Sequence, residues 1–209
     1  MPAPKSAYHH GTLRDTLVSV GLGMARESGS EAIVLREATR RAGVTARAAY
    51  RHFADREALV SAVAQAALAE MARTVDLHLT EDIGARAHLQ AVGEGYIRFA
   101  LDEPGWFDVA FFAMFDLHNT TAVAARGDRG RTPYEQLQDA LDHLVGDGLL
   151  DRSRVPSAAV MCWSGVHGFA TLASRGPLRS LPRDVAERQA TELVGELVDA
   201  VSHHPMPVP

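Results

Sequence analysis

The sequence has little of what marks exported or membrane proteins. It contains one cysteine, Cys162, so no disulfide can form within the chain, which is typical of a reducing cytoplasm. No run of about eighteen apolar residues is present, and the first residues lack the apolar segment of a signal peptide. These absences predict a cytoplasmic protein without a membrane partner.

Sequence patterns that carry catalysis or metal binding are also missing. There is no G-x-S-x-G turn, glycine-rich phosphate loop or H-E-x-x-H helix. Ser164 and His167 are close in sequence, but a spacing of three on a helix is poor geometry for a nucleophile and its base. None of the ten histidines has another three or four residues away, the spacing that would seed a metal site. We therefore expect no enzymatic activity, no metal and no cofactor.

The formal net charge of −5 is distributed unevenly along the chain. Residues 1–60 carry nine Lys or Arg against six Asp or Glu, whereas the remainder carries twelve against twenty. A basic head on an acidic body favours a nucleic-acid-binding segment joined to a body with another role. Chance fluctuation of charge is the alternative, so the motifs have to decide.

Apolar residues recur at helical spacing along almost the whole chain. Leu13, Leu17 and Val20 mark the first helix, and no segment shows the alternation of a β-strand. Further helices are predicted at about 35–42, at about 46–52, from Asp55, and in five later segments. The sequence therefore predicts an all-α fold of about nine helices.

The stretch GVTARAAYRHF, from Gly43 to Phe53, joins two of these helices. Gly43 suits the left-handed position that ends a helix, and Thr45 can cap the helix that follows. Two short helices joined by a tight glycine turn form a helix-turn-helix, whose second helix fits the DNA major groove. Phe53 is expected to face the core. A helix-turn-helix used only for packing is the alternative.

Arginine, tyrosine and histidine on the second helix are suited to DNA. We expect Arg47 to reach guanine edges or phosphates, and Tyr50 and His52 to contact phosphates through their O–H and N–H groups. The predicted DNA-binding residues are Arg36, Thr45, Ala46, Arg47, Ala49, Tyr50, Arg51 and His52.

The segment LREATRRAGVTARAAYRHFADREALVSAVA, together with the preceding YHHGTLRDTLVSVGLGMARESGSEAI, resembles the N-terminal domain of the TetR family of repressors. The resemblance spans about residues 8–65 and is most specific over 42–59. It implies a three-helix head whose third helix reads DNA and a fourth helix that links the head to a ligand-binding body. The positions that match the family's DNA-facing pattern are Thr45, Arg47, Tyr50 and His52.

The head departs from the family pattern in two places. Val34 stands where the family has a Thr or Ser that caps the second helix, and losing such a cap typically costs about 1 kcal/mol. Ala38 and Thr39 replace a large apolar residue followed by alanine, which predicts a less filled core. His9 and His10, in the arm that resembles relatives, either contact phosphate or are solvated.

The resemblance also implies a division of the chain. Residues 1–55 are expected to form the DNA-binding head, with a linker helix over about 55–78. Residues 79–204 are expected to bind an effector and to dimerise, and 205–209 form a disordered tail. Within the body, the polar, glycine-bearing segment 118–133 predicts a mobile loop.

Aromatic residues in the body are the candidates for an effector site. Those in GWFDVAFFAMFD cover more than one side of a helix, so some must face a cavity, a partner or water. For any single aromatic residue, a place in the core is the alternative. The predicted effector-binding residues are Tyr96, Phe99, Trp106, Phe107, Phe111, Phe112, Phe115, Tyr134, Leu137, Leu141, Trp163 and His167.

Trp163 and His167, in WSGVHGFATL, lie four residues apart and so share one helix face. With FALDEPGWFDVAFF upstream, they resemble the Trp-x-x-x-His-Gly signature of one subgroup of TetR C-terminal domains. The histidine either orients a polar group of the ligand or is a core histidine bonded to a backbone carbonyl.

The last two predicted helices carry an apolar stripe that needs burial. Two such helices from each subunit would form a four-helix interface with two-fold symmetry. The predicted interface residues are Gly165, Gly168, Leu193, Val194, Leu197, Val198 and Val201. The resemblance therefore implies a homodimeric bacterial repressor that a small, largely apolar effector releases from a double-stranded DNA operator. A DNA-binding regulator or architectural protein controlled by a protein partner is the alternative.

Overall fold

The computed structural model describes residues 13–80, 83–113 and 122–202. Across these ranges the chain forms nine α-helices and no β-strand, which confirms the predicted all-α fold and helix number. The helices are α1 (Leu13–Ser28), α2 (Leu35–Ala42), α3 (Ala46–Ala49), α4 (Arg56–Asp76), α5 (Ala85–Asp102), α6 (Pro104–Phe111), α7 (Pro133–Gly146), α8 (Val155–Ser174) and α9 (Arg183–Ser202). The predictions for His9, His10, Phe115 and the 205–209 tail lie outside the described residues.

The helix-turn-helix forms where the local sequence predicts it. Gly43 ends α2 with a φ of 67°, a left-handed conformation that glycine adopts without strain. The Thr45 hydroxyl accepts a hydrogen bond from the Ala48 amide at 3.3 Å and caps α3, and Asp55 caps α4 through the Ala58 amide at 2.8 Å. Helix α3 ends at Ala49 and not near residue 52, because the following residues form tight hydrogen-bonded turns.

The two departures from the family pattern are visible in α2. Val34 occupies the N-cap and offers no side-chain bond to the free amides of the first turn. Ala38 and Thr39 are both buried, and the Thr39 hydroxyl donates a hydrogen bond to the Arg36 carbonyl at 2.7 Å. The polar side chain is therefore satisfied although it lies in the core.

Two hydrophobic cores meet along α4 and α6. The head core contains side chains of α1 to α4 together with Val109 and Ala110 of α6, and the body core is built from α4 to α9. Trp106 and Phe111 pack against both cores. Helix α4 is long and apolar enough to cross a membrane, but most of its length is buried by its neighbours. It is therefore the central helix of the fold.

Helix α6 lies unusually close to α1 at Gly105. A Cβ atom at this position would overlap the Ala25 carbonyl and approach Arg26 Cα, both of which are backbone atoms. Glycine is thus required for the observed distance between the two helices.

The part of the predicted mobile loop that the structure describes, residues 122–132, is docked on α4 and α7. Arg129 donates to the Leu79 carbonyl at 2.7 Å, and the side chain of Arg73 binds Asp128 at 3.0 Å. Thr132 then begins α7 with reciprocal hydrogen bonds to Glu135, a capping box. These contacts hold the described part of this segment against the helices, and its mobility stays a prediction.

Candidate functional site

The predicted DNA-binding residues lie on one exposed region, with one exception. Arg36, at the start of α2, is exposed, and the exposed positions on and after α3 are Thr45, Ala46, Arg47, Tyr50, Arg51 and His52. Ala49 is fully buried in the head core, which corrects its assignment as a DNA contact. Phe53 is buried as expected.

Ion pairing divides the arginines of the head into two groups. Arg40 and Arg41 bind Glu37 at 2.7 and 2.9 Å, and Arg41 also binds Glu27. These two guanidinium groups lower the pKa of Glu37 to about 2. In contrast, four exposed arginines of the head make no ion pair within the described part of the chain: Arg14, whose guanidinium lies 5.4 Å from the centre of the Phe53 ring, and Arg36, Arg47 and Arg51. Their uncompensated charge is therefore free to bind an anion.

The body contains an apolar, partly open cavity of about 340 Å³ that is lined by residues of α4 to α9. This volume lies within the range of roughly 300–1,000 Å³ that is typical of small-molecule pockets. Five of the predicted effector residues line it: Tyr96, Phe111, Tyr134, Leu137 and Trp163. The other lining residues are Leu68, Leu89, Val92, Gly93, Pro133, Cys162, Val166, Val194, Leu197 and Val198. Sequence reasoning missed the aliphatic part of the wall because an aliphatic side chain beside a cavity has the same spacing as one in a core.

The remaining predicted effector residues lie elsewhere. Phe99, Phe107 and Leu141 are buried in the body core and, unlike Tyr96 and Leu137 of the same core, do not line the cavity, which corrects their assignment. Trp106 faces α1, where its Nε1 donates to the Leu22 carbonyl at 2.8 Å. Phe112 is 42% exposed and does not line the cavity. Four of these five residues are aromatic and Leu141 is aliphatic, and neither property distinguishes a core position from a position on the cavity wall.

His167 lies behind the cavity wall. Its Nδ1 is 2.8 Å from the Tyr96 hydroxyl, and the rings of Phe107 and Phe111 lie 5.5 and 5.0 Å from its own ring. Burial lowers the pKa of His167 and raises that of Tyr96, so both groups are neutral near pH 7. The described partner of His167 is therefore the Tyr96 hydroxyl and not a backbone carbonyl, and a role of the histidine toward a ligand stays a prediction.

Cys162 lines the cavity and is almost fully buried. Burial raises the pKa of its thiol to about 11. Since the thiolate is the reactive form, the side chain acts as a small hydrophobic group, as its isolation in the sequence indicates.

The apolar stripe predicted to form the dimer interface is used inside the subunit. Val194, Val198 and Val201 are buried, which corrects their assignment to the interface. Leu193 is half-buried, and Leu197 lines the cavity. A Cβ atom at Gly165 would come within 2.7 Å of Leu197 Cδ1, so this glycine lets α8 and α9 pack closely within one chain. The periodic pattern predicts burial correctly but does not identify the partner.

A different face of α8 is both apolar and exposed. Val160, Met161 and Leu172 are 64%, 37% and 43% exposed, and they lie on one side of the helix with Ser164 and Gly168. A Cβ atom at Gly168 would meet nothing within 4 Å. We call the five residues the α8 stripe. Of the predicted interface residues, Gly168 alone belongs to it.

Helix α6 connects the cavity with the head through polar contacts. The Ser30 hydroxyl, which precedes α2, donates to Asp108 Oδ2 at 2.6 Å, and Arg175 at the end of α8 donates to Oδ1 at 2.7 Å. Arg26 of α1 pairs with Glu103 and lies 4.3 Å above the Trp106 ring. Because Phe111 on the same helix lines the cavity, one short helix touches both the cavity and α1.

Two histidines from different helices meet near the end of the body. His88 on α5 and His143 on α7 have their Nδ1 atoms 3.0 Å apart. Spacing rules missed this pair because the residues are distant in sequence. Burial, followed by electrostatic repulsion from the His143 ring, lowers the pKa of His88. Among the described residues, no group of three or more metal-binding side chains occurs.

Acidification is expected to destabilise the fold through His88. Its pKa is lowered in the folded protein, so the unfolded chain binds the proton more readily, and stability falls as the pH drops below about 6.5. Replacing His88 with glutamine should reduce the loss in free energy of unfolding between pH 7.5 and 5.5. The change should be below about 1 kcal/mol because the ring is only half-buried.

Urea unfolding at the two pH values measures this difference. His52→Gln, on the exposed surface of the head, is the matched control. An identical pH dependence for wild type and His88→Gln would contradict the assignment.

Comparisons with known proteins place the fold in a family. The sequence model described as "Tetracyclin repressor-like, C-terminal domain" matches residues 89–197, more than half of the chain. No curated protein sequence matches the chain.

Solved structures show the same fold over nearly the whole chain. A protein of unknown function from Rhodococcus sp. RHA1 has a TM-score of 0.72 at 24% identity, over 95% of this chain and 100% of that one. A single-residue variant of TetR from Acinetobacter baumannii AYE, in complex with minocycline, has a TM-score of 0.65 at 17% identity, over 91% and 96%. RolR in complex with resorcinol has a TM-score of 0.64 at 17% identity, over 93% of this chain and 95% of that one. Since the family model covers more than half of its residues, the chain belongs to the TetR family of transcriptional regulators.

Proposed function

We propose that the protein is a homodimeric, sequence-specific DNA-binding repressor in the bacterial cytoplasm that a small, largely apolar effector releases from its operator. It has no enzymatic role. The observation that carries the proposal is the combination, in one chain, of an exposed helix-turn-helix with unpaired arginines and an apolar cavity of ligand size. In the proposed division, residues 1–55 bind DNA, 55–78 link, and 79–204 bind the effector and dimerise. The C-terminal domain is assigned to the Trp-x-x-x-His-Gly subgroup.

DNA binding uses α3 and the turns that follow it. The first residues of α3 enter the major groove, where Arg47 hydrogen-bonds a guanine edge or a phosphate. Tyr50, 59% exposed, and His52 donate to phosphates and fix the register of the head on the duplex. Arg36 and Arg51 add positive charge that is not neutralised within the chain.

Dimerisation uses the α8 stripe. An exposed row of Val160, Met161 and Leu172, broken by small residues at Ser164 and Gly168, lets the same helix of a second subunit approach closely. Two-fold symmetry then sets the heads about one DNA turn apart, roughly 34–36 Å, so that they read a near-palindrome.

Release follows from the position of α6. A ligand in the cavity contacts Phe111, and displacement of α6 shifts Trp106 and Asp108 against α1 and Ser30. The heads then lose the spacing that the operator requires. For release, the ligand must bind the DNA-incompetent state more tightly than the competent one. The minocycline and resorcinol complexes of the two structural relatives support ligand control here.

The proposal is tested by binding of the purified protein to the DNA upstream of its own gene, at two salt concentrations and with a panel of apolar compounds. Specific, salt-sensitive binding that one compound relieves supports the proposal. Specific DNA binding that no compound disturbs would contradict effector control and favour a regulator controlled by a protein partner. Absence of specific binding at any promoter DNA tested would contradict the DNA-binding role.

Arg47→Ala is expected to weaken operator binding by about 5- to 150-fold, which corresponds to about 1–3 kcal/mol for a base contact. The dimer should remain intact because Arg47 is exposed on the head. Loss of preference at one base pair would identify base readout, whereas a uniform loss across sequences would identify a phosphate contact. Fluorescence anisotropy with operator variants measures both.

Arg40→Ala is the matched control, since this exposed arginine of the same head is already paired with Glu37. Its effect on operator affinity should be several-fold smaller than that of Arg47→Ala. Equal effects of the two substitutions would show that only the total charge of the head matters.

A further inference from the structure

We propose that the effector is an uncharged molecule and that the cavity excludes anions and cations of the same shape. This inference rests on the proposed function and names the chemical class of its ligand. None of the described side chains that line the cavity is Asp, Glu, Lys, Arg or His. A charged group buried against this wall would therefore lose its hydration without gaining an ion pair.

The titratable groups on or behind the wall provide no hidden charge. Tyr96 and Cys162 lie on the wall. The pKa of each group is ordinarily above neutral pH, and burial raises it further. His167 lies behind Tyr96, and burial lowers its pKa. All three groups are neutral at pH 7, and the Tyr96 hydroxyl is already hydrogen-bonded to His167 at 2.8 Å.

The ion pair beside Phe112 is already balanced within the chain. Arg175 binds Asp108 at 2.7 Å and lies 4.2 Å above the ring of Phe112, which does not line the cavity. Neither charge is available to a ligand without breaking this pair. The wall thus binds through apolar and aromatic contact, with Phe111, Tyr134 and Trp163 offering ring faces and edges.

The cavity volume of about 340 Å³ limits the size of the ligand. It lies at the small end of the range of roughly 300–1,000 Å³ for pockets that enclose drug-sized ligands. The proposed class is therefore a compact, uncharged, aromatic or aliphatic compound.

Two fluorescent probes that differ by one charged group test the proposal on the full-length protein. N-phenyl-1-naphthylamine is uncharged, and 8-anilinonaphthalene-1-sulfonate carries the same ring system with a sulfonate. We expect the uncharged probe to bind in the cavity at least about 100-fold more tightly than the sulfonate. Fluorescence titration at pH 7 measures both affinities.

Cavity-occluding variants separate binding in the cavity from binding elsewhere. Cys162→Phe and Val166→Phe both place a ring in the cavity and should abolish binding of the uncharged probe. Either variant suffices if the other does not fold, as judged by circular dichroism. Val123→Phe, at a position that is 76% exposed and does not line the cavity, is the control and should bind as wild type.

A charge placed on the wall provides a test in the opposite direction. Leu197 lines the cavity and is half-buried, so an arginine there can keep its head near solvent while its stem covers the wall. Leu197→Arg should increase the affinity for the sulfonate at least about 10-fold. No gain in a folded variant would overturn the claim that a missing counter-charge causes the exclusion.

Two outcomes would overturn the proposal. In the first, wild type binds the sulfonate as tightly as the uncharged probe, and the occluding variants lose this binding. In the second, wild type shows no binding of the uncharged probe that the occluding variants remove. Operator binding is measured on the same preparations. If the uncharged probe and a panel of uncharged compounds bind in the cavity while operator affinity stays constant, the effector role fails and the ligand class stands. If operator binding itself is absent, the DNA-binding role fails independently of probe selectivity.

Discussion

Met161→Asp is expected to convert the dimer into monomers and to lower specific operator affinity at least about 100-fold. Met161 is one of the three exposed apolar side chains of the α8 stripe, and two subunits bury it against each other in the proposed assembly. An aspartate there would be desolvated without a partner charge, which is strongly unfavourable. A monomer binds one half-site, so the affinity that comes from two linked heads is lost. Sedimentation velocity and operator titration measure the two effects.

Val123→Asp is the matched control because it places the same charge on an exposed apolar side chain outside the stripe. It should leave the dimer unchanged. Leu197→Asp separates this interface from the one predicted on α9, since Leu197 lines the cavity and its replacement should alter ligand binding while the dimer persists. A dimer that survives both Met161→Asp and Leu172→Asp would refute the α8 stripe as the interface.

Phe107→Ala is expected to lower the free energy of unfolding by about 3–5 kcal/mol, the usual cost of removing a fully buried aromatic ring. Phe107 has no exposed surface, and its ring lies 5.0 Å from that of Phe111 and 5.5 Å from that of His167. The substitution leaves a void directly behind the cavity wall. Urea unfolding monitored by circular dichroism measures the loss.

Phe112→Ala is the comparison, because the neighbouring ring is 42% exposed and its removal creates no enclosed void. Its cost should be below about 1.5 kcal/mol. The Phe107 ring of α6 packs against Tyr96 of α5 and His167 of α8. Equal losses in the free energy of unfolding for the two substitutions would contradict this central packing role.

The helix-turn-helix could be predicted because its signals are local. Gly43, Thr45 and Asp55 act on residues within one turn of themselves, and all three adopt the predicted roles. The error at Ala49 arose in the same stretch, because the buried side of a four-residue helix depends on its packing neighbours. Because α3 packs against the head core through Ala49, the side chains of Arg47 and Tyr50 are left exposed.

The cavity and the subunit surfaces could not be predicted from spacing. Val194 and Val198 form an apolar stripe. Either α5 and α8 of the same chain or a second subunit could bury such a stripe, and the spacing is the same in both cases. A valine beside a cavity and a valine in a core have the same spacing in the sequence. They differ only in whether empty space or another side chain lies next to the valine side chain. His88 and His143 are 55 residues apart in sequence and meet only through tertiary packing.

The sharing of α6 between the two cores bears on protein engineering. Val109 and Ala110 belong to the head core, Gly105 lies against the α1 backbone, and Trp106 donates to the Leu22 carbonyl. A fragment that stops after α4 would carry every side chain proposed to contact DNA yet lack part of its own hydrophobic interior. Chimeric regulators that exchange heads should therefore place the junction so that α6 travels with the head, or redesign the α1 surface that it covers.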